Sequence, residues 1–165
     1  MEHVARKFSK AKWEVMPFME GNDIVADAIT VCLRTFDNKL SFWQCSLERG
    51  SLEEVVLALA TGPNSRLEKL HLMALSKEEL QAQGLVFSES EGNTVVNDLR
   101  NRHIDLIELT LDKLSKVARL MASQIRKNTN CIHLTRKNVR EIINRAISNH
   151  RLSKEGLPDN IRQEL

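Results

Sequence analysis

Residues 29–35 alternate apolar and polar side chains, with Ile29, Val31 and Leu33 on one side and Thr30, Cys32 and Arg34 on the other. Residues 40–45 alternate again, setting Leu40, Phe42 and Gln44 against Ser41, Trp43 and Cys45. A period of two marks a half-buried strand. Phe36-Asp37-Asn38-Lys39 between the runs reads as a turn, because Asp and Asn tolerate the dihedrals it needs. The pattern predicts an antiparallel hairpin. A further strand is expected over 13–19, confined to a sheet edge by Pro17, which has no backbone N–H to donate.

The period then changes. Leu52, Val55, Val56 and Leu59 recur at helical spacing over 51–60, Ser51 and Glu54 have the spacing of a capping box, and Gly62-Pro63 ends the helix. Residues 66–75 carry two signals. Ser65 and Glu68 again have capping spacing, while Leu70, Leu72 and Ala74 alternate as a strand would. A strand is the reading adopted, because Ser76 and Glu79 open a fresh capped helix that Gly84 ends. Residues 85–87 follow as a short strand and 88–93 as an acidic turn.

From Thr94 to Lys127 there is neither Pro nor Gly. Ile104, Ile107, Leu111, Leu114, Ala118, Met121 and Ile125 recur at alternating spacings of three and four, which predicts one long helix with an a/d seam. Leu106, Leu109, Val117 and Leu120 widen the stripe, so the helix is expected to pack on more than one surface. The final helix alone is too short to cover that seam. A second copy of the chain is therefore expected against it, making the protein a homo-oligomer. Asn128-Thr129-Asn130 breaks the helix. Thr135 caps a last one, with Val139, Ile142, Ile143, Ala146 and Ile147 inward and Arg136, Lys137, Arg140, Asn144 and Arg145 outward. The tail beyond it is expected to dock loosely or fray.

Together these elements predict an α+β fold: an amino-terminal hairpin or small antiparallel sheet with short helices, then a long helix and a basic carboxy-terminal helix. The boundary falls between a small α+β unit of residues 1–92 and a helical segment of 93–165. With 165 residues, 42% of them hydrophobic and 28% charged, the chain is a folding polypeptide and not a disordered one. No apolar run is long enough to span a bilayer, and the amino terminus lacks the apolar core of a secretory signal, so a cytoplasmic protein is expected. The odd count of three cysteines agrees with a reducing compartment.

Charge changes the picture more. Residues 1–100 carry 11 basic and 15 acidic side chains, whereas 101–165 carry 13 and 7. Within 113–154, 11 basic residues face the single acid Glu141. Lys127, Arg136, Lys137, Arg140, Asn144 and Arg151 are the candidate contacts to nucleic-acid phosphates. No aromatic residue follows Phe87, so the charge has no stacking platform and a duplex is the better fit than a single strand. The same face is equally suited to an acidic protein, or to the acidic half of its own chain.

Other chemistry is thinner. Cys131 and His133 offer two metal ligands from one segment, but no spacing supplies the others, and no metal or cofactor is expected. Cys32 or Cys45 with His71 would need the fold to join thiol and imidazole. A helical RNase using an Arg/His pair has three candidates, Arg145 with His150, Arg126 with His133 and Arg66 with His71. Asp98, Asp105, Glu108 and Asp112 would share one face of the long helix, and Trp13 and Trp43 mark either core or a ligand pocket. The reading is a non-enzymatic binding protein with no assigned catalytic residue. A protein-interaction adaptor or inhibitor acting as a homo-oligomer, and the small RNase, stand as alternatives.

Overall fold

The computed structural model describes residues 2–14 and 23–165. Among them, β1 (His3–Lys7), β2 (Leu40–Cys45), β3 (Leu70–Ser76), β4 (Val86–Glu89), β5 (His103–Ile107) and β6 (Cys131–Leu134) form one sheet. Their order is β4-β5-β2-β1-β3-β6, and every neighbouring pair is antiparallel. Helices cover both faces, so the fold is α+β. One face carries α3 (Arg49–Ala60), α6 (Arg136–Ser148), a 3-10 turn at Asn97–Arg102 and the short α7 (Asp159–Arg162). The other carries α1 (Lys10–Trp13), α2 (Ala26–Cys32), α4 (Lys77–Ala82) and α5 (Leu111–Lys127). No described helix is long and apolar enough to cross a membrane.

Two hydrophobic cores explain the strand sequences. Leu72 and Ala74 enter the core under α3 and α6, while Met73 and Leu75 enter the one under α5. A strand covered on both sides needs apolar residues at consecutive positions, which is why 66–75 carried mixed signals. The capped helix after it forms as expected, with the Ser76 hydroxyl accepting from the Glu79 N–H. Thr135 likewise caps α6 in a reciprocal pair with Asn138. The tail docks: Leu152, Leu157 and Ile161 are buried.

Four expectations are corrected. Residues 29–33 are not a strand but lie in and just after α2. Ala28, Cys32 and Leu33 are buried at spacings of four and five, and Val31, inward in a strand, is 54% exposed. The turn at 36–39 forms, with Asp37 and Asn38 both in the left-handed region, yet it joins α2 to β2. Within the expected strand over 13–19, Trp13 closes α1, and residues 15–19 lie outside the described residues. The capping box at Ser51 does not form: α3 begins two residues earlier, and the Ser51 hydroxyl accepts instead from the Ser46 N–H.

The fourth correction is the largest. The long helix does not run from 94 to 127. Residues 103–107 are β5, hydrogen-bonded between β2 and β4, and α5 starts only after Glu108 turns through a left-handed conformation and Thr110 caps it. The segment after residue 92 therefore supplies β5 and β6 to the same sheet that holds β1 and β2, and is not a separate helical unit. Ile104, Ala118, Met121 and Ile125 are core residues over that sheet, Leu114 and Ile107 are half-buried, and Leu111 hangs off the helix start at 82% exposure. The expected oligomer seam is the seam between this chain's own helix and sheet.

Candidate functional site

The basic residues of α6 are mostly engaged. Arg136 pairs with Glu164, Arg145 with Glu53 at 2.7 Å, and Lys137 lies 3.9 Å from Glu141. Arg151, just beyond the helix, makes a bidentate contact to Glu54 at 2.7 and 2.6 Å and a third bond to Asp98. Those bonds hold its pKa above the usual arginine value. Arg140 is half-buried, and its Nε is out of water without a hydrogen-bond partner. Asn144 faces solvent. Lys127 ends α5, in the layer on the opposite face of the sheet, so the six candidates do not form one surface. Much of the charge asymmetry is resolved inside the chain, through ion pairs from α6 to α3 and the 3-10 turn.

The Glu53 pair has a testable sign. Burial pushes the Glu53 carboxyl up, and hydrogen bonds from Arg49 and Arg145 more than reverse it, leaving its pKa below the ordinary carboxylate value. A lowered folded-state pKa contributes stability above the unfolded pKa, and that stability is lost as pH falls through the folded one. Arg145 is largely exposed, so Arg145→Gln should cost at most about 1 kcal/mol at neutral pH. Urea melts should show that difference shrinking as pH falls through and below the ordinary carboxylate range. A difference that stays constant into acid would assign it to packing.

Helix α5 is electrostatically different. Its inner side is core, and its outer side presents Lys113, Lys116, Arg119 and Lys127, with Asp112 the one acid among them. None of these four cations is ion-paired among the described residues. Lys113 and Lys116 only donate to the backbone carbonyls of Glu108 and Gln83. Lys113 to Lys127 spans about 21 Å at the helical rise.

A second cationic place was invisible in the sequence. At the end of β1 a cavity of about 540 Å³ opens between α2, β2 and β3. The Arg6 guanidinium lies in it, donating from Nε to the Cys32 carbonyl at 2.7 Å and from Nη1 to the Ser41 carbonyl at 2.5 Å. Burial brings the Arg6 pKa down to about 10, with the Asp105 carboxylate opposing it, and the group remains a cation at neutral pH. Trp43, expected as core or ligand pocket, is buried, its ring meets His103 edge-on at 5.1 Å, and it lines this cavity. Trp13 is core alone.

The sheet also assembles a Ser, His and Asp that no spacing announced. Ser90 Oγ is 2.8 Å from both His103 Nδ1 and Asp105 Oδ2, and Ser41 donates to Asp105 Oδ1 at 2.9 Å. A carboxylate only accepts, so the Ser90 proton points at Asp105 and His103 Nδ1 must carry the hydrogen it gives to Ser90. This is the reverse of an activated nucleophile, in which imidazole accepts the hydroxyl proton. The network ties β2, β5 and the chain after β4 together. Asp98, Glu108 and Asp112 lie on the 3-10 turn, the loop and α5, and do not share a helix face with Asp105.

The thiols offer no nucleophile by geometry. Cys32 is buried and accepts from the Ser9 N–H, and burial raises Cys45 to about 12 and Cys131 to about 11. His71 and His133 face each other across β3 and β6 with ring centroids 4.7 Å apart, and the Lys10 N–H donates to His71 Nδ1. Among the described residues no three of His, Cys, Asp and Glu converge to hold a metal ion. Of the Arg/His pairs, Arg145 is held by Glu53, and His150 sits in a left-handed conformation past the end of α6. Arg126 donates to the Asp23 carbonyl. Compared with known proteins, the chain matches no family model, no curated protein and no solved structure.

Proposed function

We propose that this is a non-enzymatic binding protein that engages nucleic-acid phosphates, with its footprint on the outer face of α5. The observation that carries this reading is the contrast between the two basic helices. Arg136, Arg145 and Arg151 are tied to acids of the same chain, whereas Lys113, Lys116, Arg119 and Lys127 are not. Withdrawing a cation from a hydrogen-bonded carboxylate removes part of the gain of placing it on a phosphate, and the α5 cations carry no such cost. Their span of about 21 Å matches roughly six steps of duplex rise at 3.4 Å each. Contacts of this kind position a protein on a backbone without reading sequence.

The test is a titration of fluorescent duplex DNA and structured RNA at several salt concentrations. Three to four phosphates neutralised should give a log–log salt slope of about −3. The double variant Lys116→Glu/Arg119→Glu should weaken binding and flatten the slope by about 2, whereas Arg136→Gln should leave the slope nearly unchanged. Absence of binding at low salt, or equal loss from the α6 variant, would overturn the α5 footprint.

A further inference from the structure

The sheet has a gap where β1 and β2 part. β1 pairs with β2 only from His3 to Ala5, whereas it stays with β3 through Lys7 and the Phe8 N–H still donates to the His71 carbonyl. Beyond that point β2 runs on beside β5 through Phe42, Ser41 and Leu40, and the chain after Lys7 turns away into α1. The Ser41 carbonyl, which β1 no longer reaches, is taken by Arg6. We propose that this gap is a binding site for a small organic anion with a flat apolar body, its charged group at Arg6 and Lys69 and its body against Trp43 and Leu59.

Charge and shape support this independently. Arg6 and Lys69 line the gap without an ion-pair partner among the described residues, and both bonds of Arg6 go to neutral carbonyls. The acid of the lining, Glu68, is matched by Lys7. The net charge of the gap is therefore positive. The opposite requirement is met by Trp43 and Leu59, and by Val31, an exposed side chain of α2 that lines the same gap. The indole is held in place from behind by His103 and Gly92. An adjoining cavity of about 440 Å³ shares Lys7, Trp43, Leu59 and Glu68, so a molecule longer than one ring has room to continue beneath the Lys7–Glu68 pair. Pockets that combine an apolar wall with a few convergent polar groups are the ordinary form of small-ligand sites.

The experiment titrates AMP, adenosine, inorganic phosphate and benzoate into the full chain, following tryptophan fluorescence and calorimetric heat. AMP should saturate at or below about 1 mM, with adenosine and inorganic phosphate each at least tenfold weaker because each supplies only half of the contacts. Benzoate binding more tightly than AMP would identify the anion as a carboxylate in the same site. Because Arg6 also clamps α2 to β2, the diagnostic variant is Lys69→Gln, which should weaken the tighter ligand about fivefold without changing the melting temperature. Lys116→Glu, on the other side of α5, should leave this affinity unchanged, which separates the site from the phosphate footprint proposed above. Failure of both AMP and benzoate to saturate, or saturation that Lys69→Gln does not alter, overturns the proposal.

Discussion

Exchanging Met121 for lysine is expected to unfold the chain rather than to separate subunits. Met121 is 1% exposed and packs, with Val117, Ala118 and Ala122, on the sheet side of α5. A lysine there must either bury an ammonium among hydrocarbon or pull the helix away from β3. Either outcome costs more than about 4 kcal/mol, a large part of the total stability of an ordinary domain. For a chain of this size that corresponds to a melting temperature lower by at least roughly 8 °C, or to no cooperative transition at all. Circular dichroism and light scattering on the same sample decide the matter. A variant that melts like the parent but halves its mass would mean that Met121 faces another subunit, and the core described above would be wrong.

Gly92→Ala should be the most damaging of the small substitutions. A Cβ at this position would lie 2.4 Å from Trp43 Cη2, 2.8 Å from Cζ3 and 2.9 Å from His103 Cβ. Both neighbours are held in the sheet, and the Gly92 N–H donates to the Arg100 carbonyl, so neither side yields freely. Overpacking of this kind costs about 1–3 kcal/mol. The melting temperature should fall by roughly 3–10 °C. The same change should shift the Trp43 fluorescence, because the indole is what must move. In a Trp43→Leu background, where Cη2 and Cζ3 are absent, the alanine should cost less. If the two changes are additive, the strain lies elsewhere.

Local signals were legible wherever one element met one environment. Ser76 and Thr135 cap helices at the positions their spacing indicated, Asp37 and Asn38 adopt the turn, and of the inward set of α6 Val139, Ile142, Ile143 and Ala146 are buried and Ile147 is partly so. The reading failed where two periodicities fit the same residues. Ile104, Ile107 and Leu111 obey helical spacing, while Ile104 and Leu106 obey strand spacing, and with no Pro or Gly to mark the change the continuous helix was the simpler choice. Likewise Ile29, Val31 and Leu33 alternate, while Ala28, Cys32 and Leu33 supply the face that α2 actually buries. An oversized seam implied a partner, and most of its residues pack against this chain's own sheet.

By itself, then, the sequence determined the α+β class, the position of most caps and turns, and the concentration of positive charge after residue 112. These depend on neighbours within a few residues, which any window of the chain contains. Tertiary structure alone decided that β5 and β6 join the amino-terminal strands, that Arg145 and Arg151 are spent on Glu53, Glu54 and Asp98, and that Arg6, Lys69 and Trp43 meet around one gap. Those partners lie 53 to 97 residues apart where they are hydrogen-bonded. No local periodicity encodes a pairing over such distances. It arises because a sheet must satisfy its backbone and cover both faces, and the arrangement that does so sets which charges meet and which do not.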